Sequence, residues 1–261
     1  MKFWLCSVPK FHFGTPLNCQ SENEGCPQEY LLTTEDLSMK SFSQWTIEEV
    51  EDIFHVVSAQ ENKLLSDWLD VSSDLSREQE KQLDRLCKKL RSRVWDWNEE
   101  ELKVGFIGLI LDMVDFDQEN YRSFMEREIS AVYEDEKLSG TVDYLVAQGR
   151  RSPRRPFFFI HEYKKEHDSS NDPLGQLMIA MIAAQIINNN NNPVYGAYVM
   201  GRHWYFVVLD CLEYAVTLGH NAAKHEELKD IFGILKNTRE IIDNLINKSS
   251  AAFTNPEQKE G

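Results

Sequence analysis

The chain has 261 residues, of which 42% are hydrophobic and 27% charged, a balance ordinary for a soluble globular protein and enough chain for one sizeable domain with elaborations. A formal net charge of −15 excludes a protein that coats nucleic acid through a broad basic surface, but leaves room for a carboxylate-lined metal site beside a local basic patch. No apolar run approaches the roughly 20 residues of a membrane helix. The N-terminus MKFWLCSVPKFHFG, broken by Pro9, His12 and Gly14, has no signal core, so a cytoplasmic protein away from membranes is expected.

Residues 1 to about 30 carry Pro9, Pro16, Pro27, Gly14 and Gly25 without a period and read as an irregular arm. Cys6, Cys19 and Cys26 with His12 are a loosely spaced zinc candidate, set against plain thiols in a reducing compartment. From Thr46 to about Trp68 apolar residues recur at helical spacing (Ile47, Val50, Phe54, Val57, Leu64, Leu65, Trp68), and Asp74 to Arg93 repeats the pattern with Leu83, Leu86 and Leu90. These two stretches form a helical preface. A third helix starts at Trp97-Asn98-Glu99, with Asn98 as N-cap and Leu102, Phe106, Leu109 and Met113 as its buried stripe. Glu99 continues that stripe. Glu100 and Glu101 lie off it, and all three also suit the helix dipole.

Two strand-like runs follow one at Arg127–Tyr133: Thr141–Ala147, and Phe157–Tyr163 opened by Pro156. If they pair antiparallel, Asp143 and Glu162 fall at the same edge, and Glu162 and Lys164 share a face. The loop GRRSPRR between them places Arg150, Arg151, Arg154 and Arg155 at the far end, as a phosphate grip or a solvated turn. Asp172 and Pro173 open an apolar helix in which Gln176 is the polar exception and Gly175, Ala180, Ala183 and Ala184 allow close approach. Val194–Met200 and His203–Leu209 form a hairpin around Gly201-Arg202, in a type II′ turn. A long amphipathic helix covers 222–246, with a polar tail from 248. This order predicts an α/β sandwich around a mixed sheet, divided into an arm and helical preface at 1–95, a main domain at 96–248 and a tail at 249–261.

Convergence of Glu99, Asp143 and Glu162 would crowd three carboxylates that need a cation. A hard ion, Mg²⁺ or Mn²⁺, suits oxygen ligands and can hold phosphate and activate water. Lys164 would orient the attacking water and stabilise transition-state charge, and Gln176 would position water or phosphate. The chemistry is metal-assisted phosphodiester hydrolysis.

The helix glutamate, Gly140-Thr-Val-Asp143, Glu162-Tyr-Lys164 and the Gln176 helix together resemble the PD-(D/E)XK nuclease superfamily. The opening WNEEELKVGFIGLIL is similar to the start of the nuclease domain in type I restriction enzyme motor subunits. The resemblance spans about 97–209. Val142 stands where the first motif has proline, and Ala180 where some branches carry tyrosine. It implies a restriction-endonuclease-like fold, with Asp143, Glu162 and Glu99 (or Glu100) as metal ligands and Lys164 as catalytic lysine. The implied partner is nucleic acid, DNA before RNA, with a homodimer suiting two-strand cleavage. A catalytically inactive binding or assembly module of the same fold is the alternative.

Overall fold

In a computed structural model, which describes residues 40–71, 74–134, 136–167 and 172–253, the runs at 141–147 and 157–163 become neighbouring central strands of an eight-stranded mixed sheet. The elements are, in order, a 3₁₀ turn (Phe42–Gln44), α1 (Ile47–Phe54), β1 (Val57–Ser58), α2 (Lys63–Leu69) and α3 (Arg77–Arg93). Then come α4 (Glu99–Leu102), a π-helical turn (Lys103–Ile107), α5 (Gly108–Val114), β2 (Arg122–Tyr133), β3 (Glu136–Gln148) and β4 (Arg154–Lys164). The chain continues through α6 (Pro173–Asn188), β5 (Val194–Met200), β6 (His203–Asp210), β7 (Glu213–Val216), β8 (His220–Asn221) and α7 (His225–Phe253).

The strand order is β1-β7-β6-β5-β4-β3-β2, with β8 also on β6. β4 and β5 run parallel, joined by α6 as the crossover that parallel neighbours require. β1 and β7 are the other parallel pair, and the remaining neighbours are antiparallel. Both sheet faces are covered. One carries Trp68, Leu83, Leu90, Phe106 and Ile231 from α2, α3, the π turn and α7; the other carries Trp45, Val50 and nearly the whole of α6. The result is an α/β fold in three layers.

Several predicted features stand. Asn98 caps α4, accepting from Glu101 N, and Glu101 returns the bond to Asn98 N. Asp172 accepts from Leu174 N and Gly175 N above the N1 proline. Gly175 lets α6 meet α1, since a Cβ there would collide with the backbone at Trp45–Ile47. The β5–β6 hairpin closes at Met200↔His203, with Gly201 at φ +56° in the first turn position.

Other features differ, each for a visible reason. The single helix expected over 46–68 is broken: His55, at φ +56°, ends α1, the chain extends to pair Val57 with Glu213, and Asn62 caps a new helix. Val56 is therefore buried and Val57 exposed. β2 begins at Arg122 rather than 127, while β7 and β8 are too short to carry a sequence period. Leu109 is exposed, and Ile110, Leu111 and Val114 are buried instead, because the π turn adds a residue and rotates the stripe. The residues before 96 are not a separate layer: β1 lies in the sheet, and Trp68 lies in the core with its Nε1 2.9 Å from Thr238 Oγ1. The Cys6, His12, Cys19 and Cys26 candidate and most of the polar tail lie outside the described residues. Among the described residues, no helix is long and apolar enough to cross a membrane.

Candidate functional site

The paired ladder between β3 and β4 ends at Tyr144↔His161. Beyond it β4 follows β5 to Lys164↔Met200, and β3 follows β2 back to Tyr133↔Glu136. Asp143 and Glu162 are the next residues on each strand, so they face one another where the two strands part. Asp143 Oδ2 accepts from Tyr163 N at 2.7 Å, taking the part a backbone carbonyl would play in a continued ladder. On the other side, β2 also leaves regular geometry. Glu126 lies opposite Asp143, between the pairs Met125↔Tyr144 and Arg127↔Val142, and adopts φ +50°, uncommon for a non-glycine residue.

Over this opening sits Lys103, the first residue of the π turn, buried among carboxylates. Its Nζ lies 2.9 Å from Asp143 Oδ1, 3.1 Å from Glu126, 3.1 Å from Glu99 and 3.3 Å from Glu100. Burial alone would depress the Lys103 pKa. The hydrogen bond and charge of Asp143, joined by Glu126 and Glu99, outweigh it and raise the pKa above the ordinary lysine value. Lys103 is therefore an ammonium at any physiological pH.

Glu162 is almost wholly buried. Its Oε2 accepts from Gln176 Nε2 at 2.6 Å, which gives the polar residue of α6 a partner on the strand. Glu162 Oε1 and Gln176 Oε1 are buried with no hydrogen-bond partner among the described residues. Burial first, then the neighbouring Asp143 charge, pushes the Glu162 carboxyl well above its ordinary range; Lys164 and Lys103 offset this only in part. Lys164, the last residue of β4, is buried on the same face two residues on.

The opposite face of β4 is aromatic. His161 lies 4.3 Å from Phe159 between ring centroids and within 6 Å of Tyr144, Tyr163 and Trp204. Neither of its ring nitrogens has a hydrogen-bond partner among the described residues, and burial pushes its pKa down to about 3. It is a neutral ring in the core.

The structure thus brings Asp143, Glu162, Lys164 and Gln176 to one strand end, and gathers Glu99 with Asp143 on the Lys103 ammonium. Glu99 and Glu100 both reach that ammonium, so the helix contributes two carboxylates rather than one. Among the described residues no three acidic, imidazole or thiol side chains close into a metal cage. The donor chemistry nevertheless fits a hard divalent ion at Asp143 and Glu162: two facing carboxylates, one with a buried oxygen lacking a partner, form a set that a cation would satisfy. Sequence reasoning missed Lys103 and Glu126. Lys103 had a signal, its spacing of four from Glu99 and three from Glu100; Glu126, in an irregular stretch of strand, had none. No protein-family model matches the chain, and no curated protein matches it in sequence.

Proposed function

We propose that the chain is a metal-dependent nuclease of the PD-(D/E)XK kind, hydrolysing phosphodiester bonds in nucleic acid, DNA foremost. The observation that carries this reading is the facing pair Asp143 and Glu162, with Lys164 two residues beyond Glu162 on the same strand face. Asp143 and Glu162 would hold a Mg²⁺ or Mn²⁺ ion. When bound, such an ion supplies Lewis-acid polarisation of the phosphate and lowers the pKa of its water.

The chain's own groups supply the rest. Gln176 fixes Glu162 in one rotamer through the 2.6 Å bond. Lys164 orients the attacking water and balances charge growing on the phosphate oxygens. Lys103 offsets part of the charge of Glu99, Glu100 and Glu126 around Asp143, which weakens the negative field that an approaching anionic backbone meets. β4 and α6, buried on both sides, keep these groups rigid.

Mn²⁺ binding followed by thermal unfolding tests the ligand assignment separately from catalysis. At an ion concentration of about 100 times its dissociation constant, wild type should gain about 2.7 kcal/mol of stability, and Asp143→Asn should gain almost none. A gain in Asp143→Asn equal to wild type would remove Asp143 from the ligand set. One observation favours a second reading, a non-catalytic module: the Lys103 ammonium already balances part of the acidic cluster without a metal. Lys164→Ala decides between the two. A nuclease should keep Mn²⁺ binding in this variant and lose about 10²–10³-fold in cleavage rate, whereas a module has no cleavage to lose.

A further inference from the structure

Away from the acidic opening, at the β3–β4 turn, Arg122, Gly149, Arg150, Arg151, Ser152 and Arg154 line a cavity of about 530 Å³. Arg122 comes from a different element: it begins β2, paired with Ala147, and so stands beside the turn. Gly149, at φ +117°, folds the turn back upon itself, and a Cβ there would collide with the Ser152 carbonyl. That tight fold brings guanidiniums from both sides of the loop to one hollow. Among the described residues none of these four arginines has a carboxylate within salt-bridge distance. In a chain with a net charge of −15, four exposed guanidiniums around one hollow without a carboxylate partner concentrate positive charge that an anion from outside would satisfy.

We propose that this cavity is a phosphate-binding site, gripping the backbone of the nucleic acid whose cleavage is proposed above. Guanidinium forks match phosphate oxygens in bidentate geometry, and the arginine charge cannot be lost by deprotonation. The distance suits one ligand reaching both places. Five residues of β3 separate Asp143 from Gln148, and at about 3.4 Å per residue this is about 17 Å. A duplex strand advances about 3.4 Å per nucleotide, so the grip falls about five nucleotides from the opening. The assignment as a backbone grip rests on the nuclease reading; the anion site itself does not.

The test is equilibrium binding of a fluorescein-labelled duplex to the full chain in EDTA, where no metal-dependent cleavage can occur, across a salt series. Wild type is compared with Arg150→Gln/Arg151→Gln/Arg154→Gln, and both are titrated with inorganic pyrophosphate by calorimetry. The triple variant should bind the duplex on the order of a hundredfold more weakly at 0.1 M salt, with a slope of log affinity against log salt shallower by about 3. Loss of pyrophosphate binding with duplex binding unchanged would keep the phosphate chemistry and overturn the backbone grip. Unchanged binding of both ligands would overturn the site. If the triple variant fails to fold, Arg122→Gln and Arg151→Gln alone give the same readout, with slopes shallower by about 1 each. Cleavage separates this site from the nuclease reading. A protein that never cleaves but loses anion binding on arginine substitution refutes only the latter; one that cleaves with unaltered salt dependence in the variant refutes only the former.

Discussion

Replacing Lys103 with methionine would leave Asp143 beside Glu126 and Glu99 with no ammonium between them. Breaking a fully buried pair costs about 3–5 kcal/mol. Here Glu100 and Glu126 are largely in water, so a loss of about 2 kcal/mol in urea unfolding is expected, with cleavage reduced as well. Full stability in Lys103→Met would mean that the acids are solvated without it. His161 gives a separate prediction with a definite sign. Its pKa is about 3 in the fold and about 6.5 in the unfolded chain. The stability this neutral ring contributes is therefore complete above pH 6.5 and lost as pH falls from 6.5 toward 3. Glu162 acts in the opposite sense, because its raised pKa makes stability fall as pH rises above the ordinary carboxylate range. The two partly cancel, so the informative quantity is a difference. Relative to wild type, His161→Phe should gain roughly 2 kcal/mol between pH 7.5 and pH 5; a difference independent of pH would show that the ring is solvated or hydrogen-bonded.

At the scale of elements, the π turn at Lys103–Ile107 aims the helix. It breaks the stripe of Leu102, Phe106, Leu109 and Met113, exposing Leu109, and it puts Lys103 over the acidic opening. Deleting Val104, the most exposed residue of the turn, should restore ordinary helical winding; because the π turn holds about one residue more than an α turn, α4 and α5 keep their relative faces while Lys103 is displaced within the turn. The expected result is unchanged far-ultraviolet circular dichroism with cleavage lost; retained cleavage would mean that the orientation of Lys103 is immaterial. This turn also marks where the sequence stops being legible. Asn98 and Asp172 were readable as caps because capping depends on residues within four positions. The Asp143 and Glu162 strands were readable because their β-branched and aromatic runs are bounded by glycine and proline. A π turn, a left-handed Glu126 and the two-residue strand β1 leave no periodic trace, since tertiary contacts decide them. The cluster around Lys103 was invisible for that reason, though its glutamates were in plain view.

For the molecule as a whole, the preface is part of the core that holds the site. Trp68 of α2 packs edge-on against Phe159, Tyr195 and Phe206 from three neighbouring strands. Trp68→Ala should cost about 3–5 kcal/mol, and a chain starting at residue 96, which lacks α2, α3 and β1, should not unfold cooperatively. A sharp thermal transition in that truncated chain would contradict the shared core. The fold holds two carboxylates, a lysine and a glutamine at the parting of β3 and β4, and the proposed nuclease activity rests on that group. The direct test of the proposal is plasmid cleavage by the full 261-residue chain with Mg²⁺, with Mn²⁺ and with EDTA, beside Asp143→Ala. Nicking or linearisation that needs the metal and is lost in the variant is the expected result. Intact plasmid under every condition, with no Mn²⁺ bound by calorimetry, would contradict the nuclease reading.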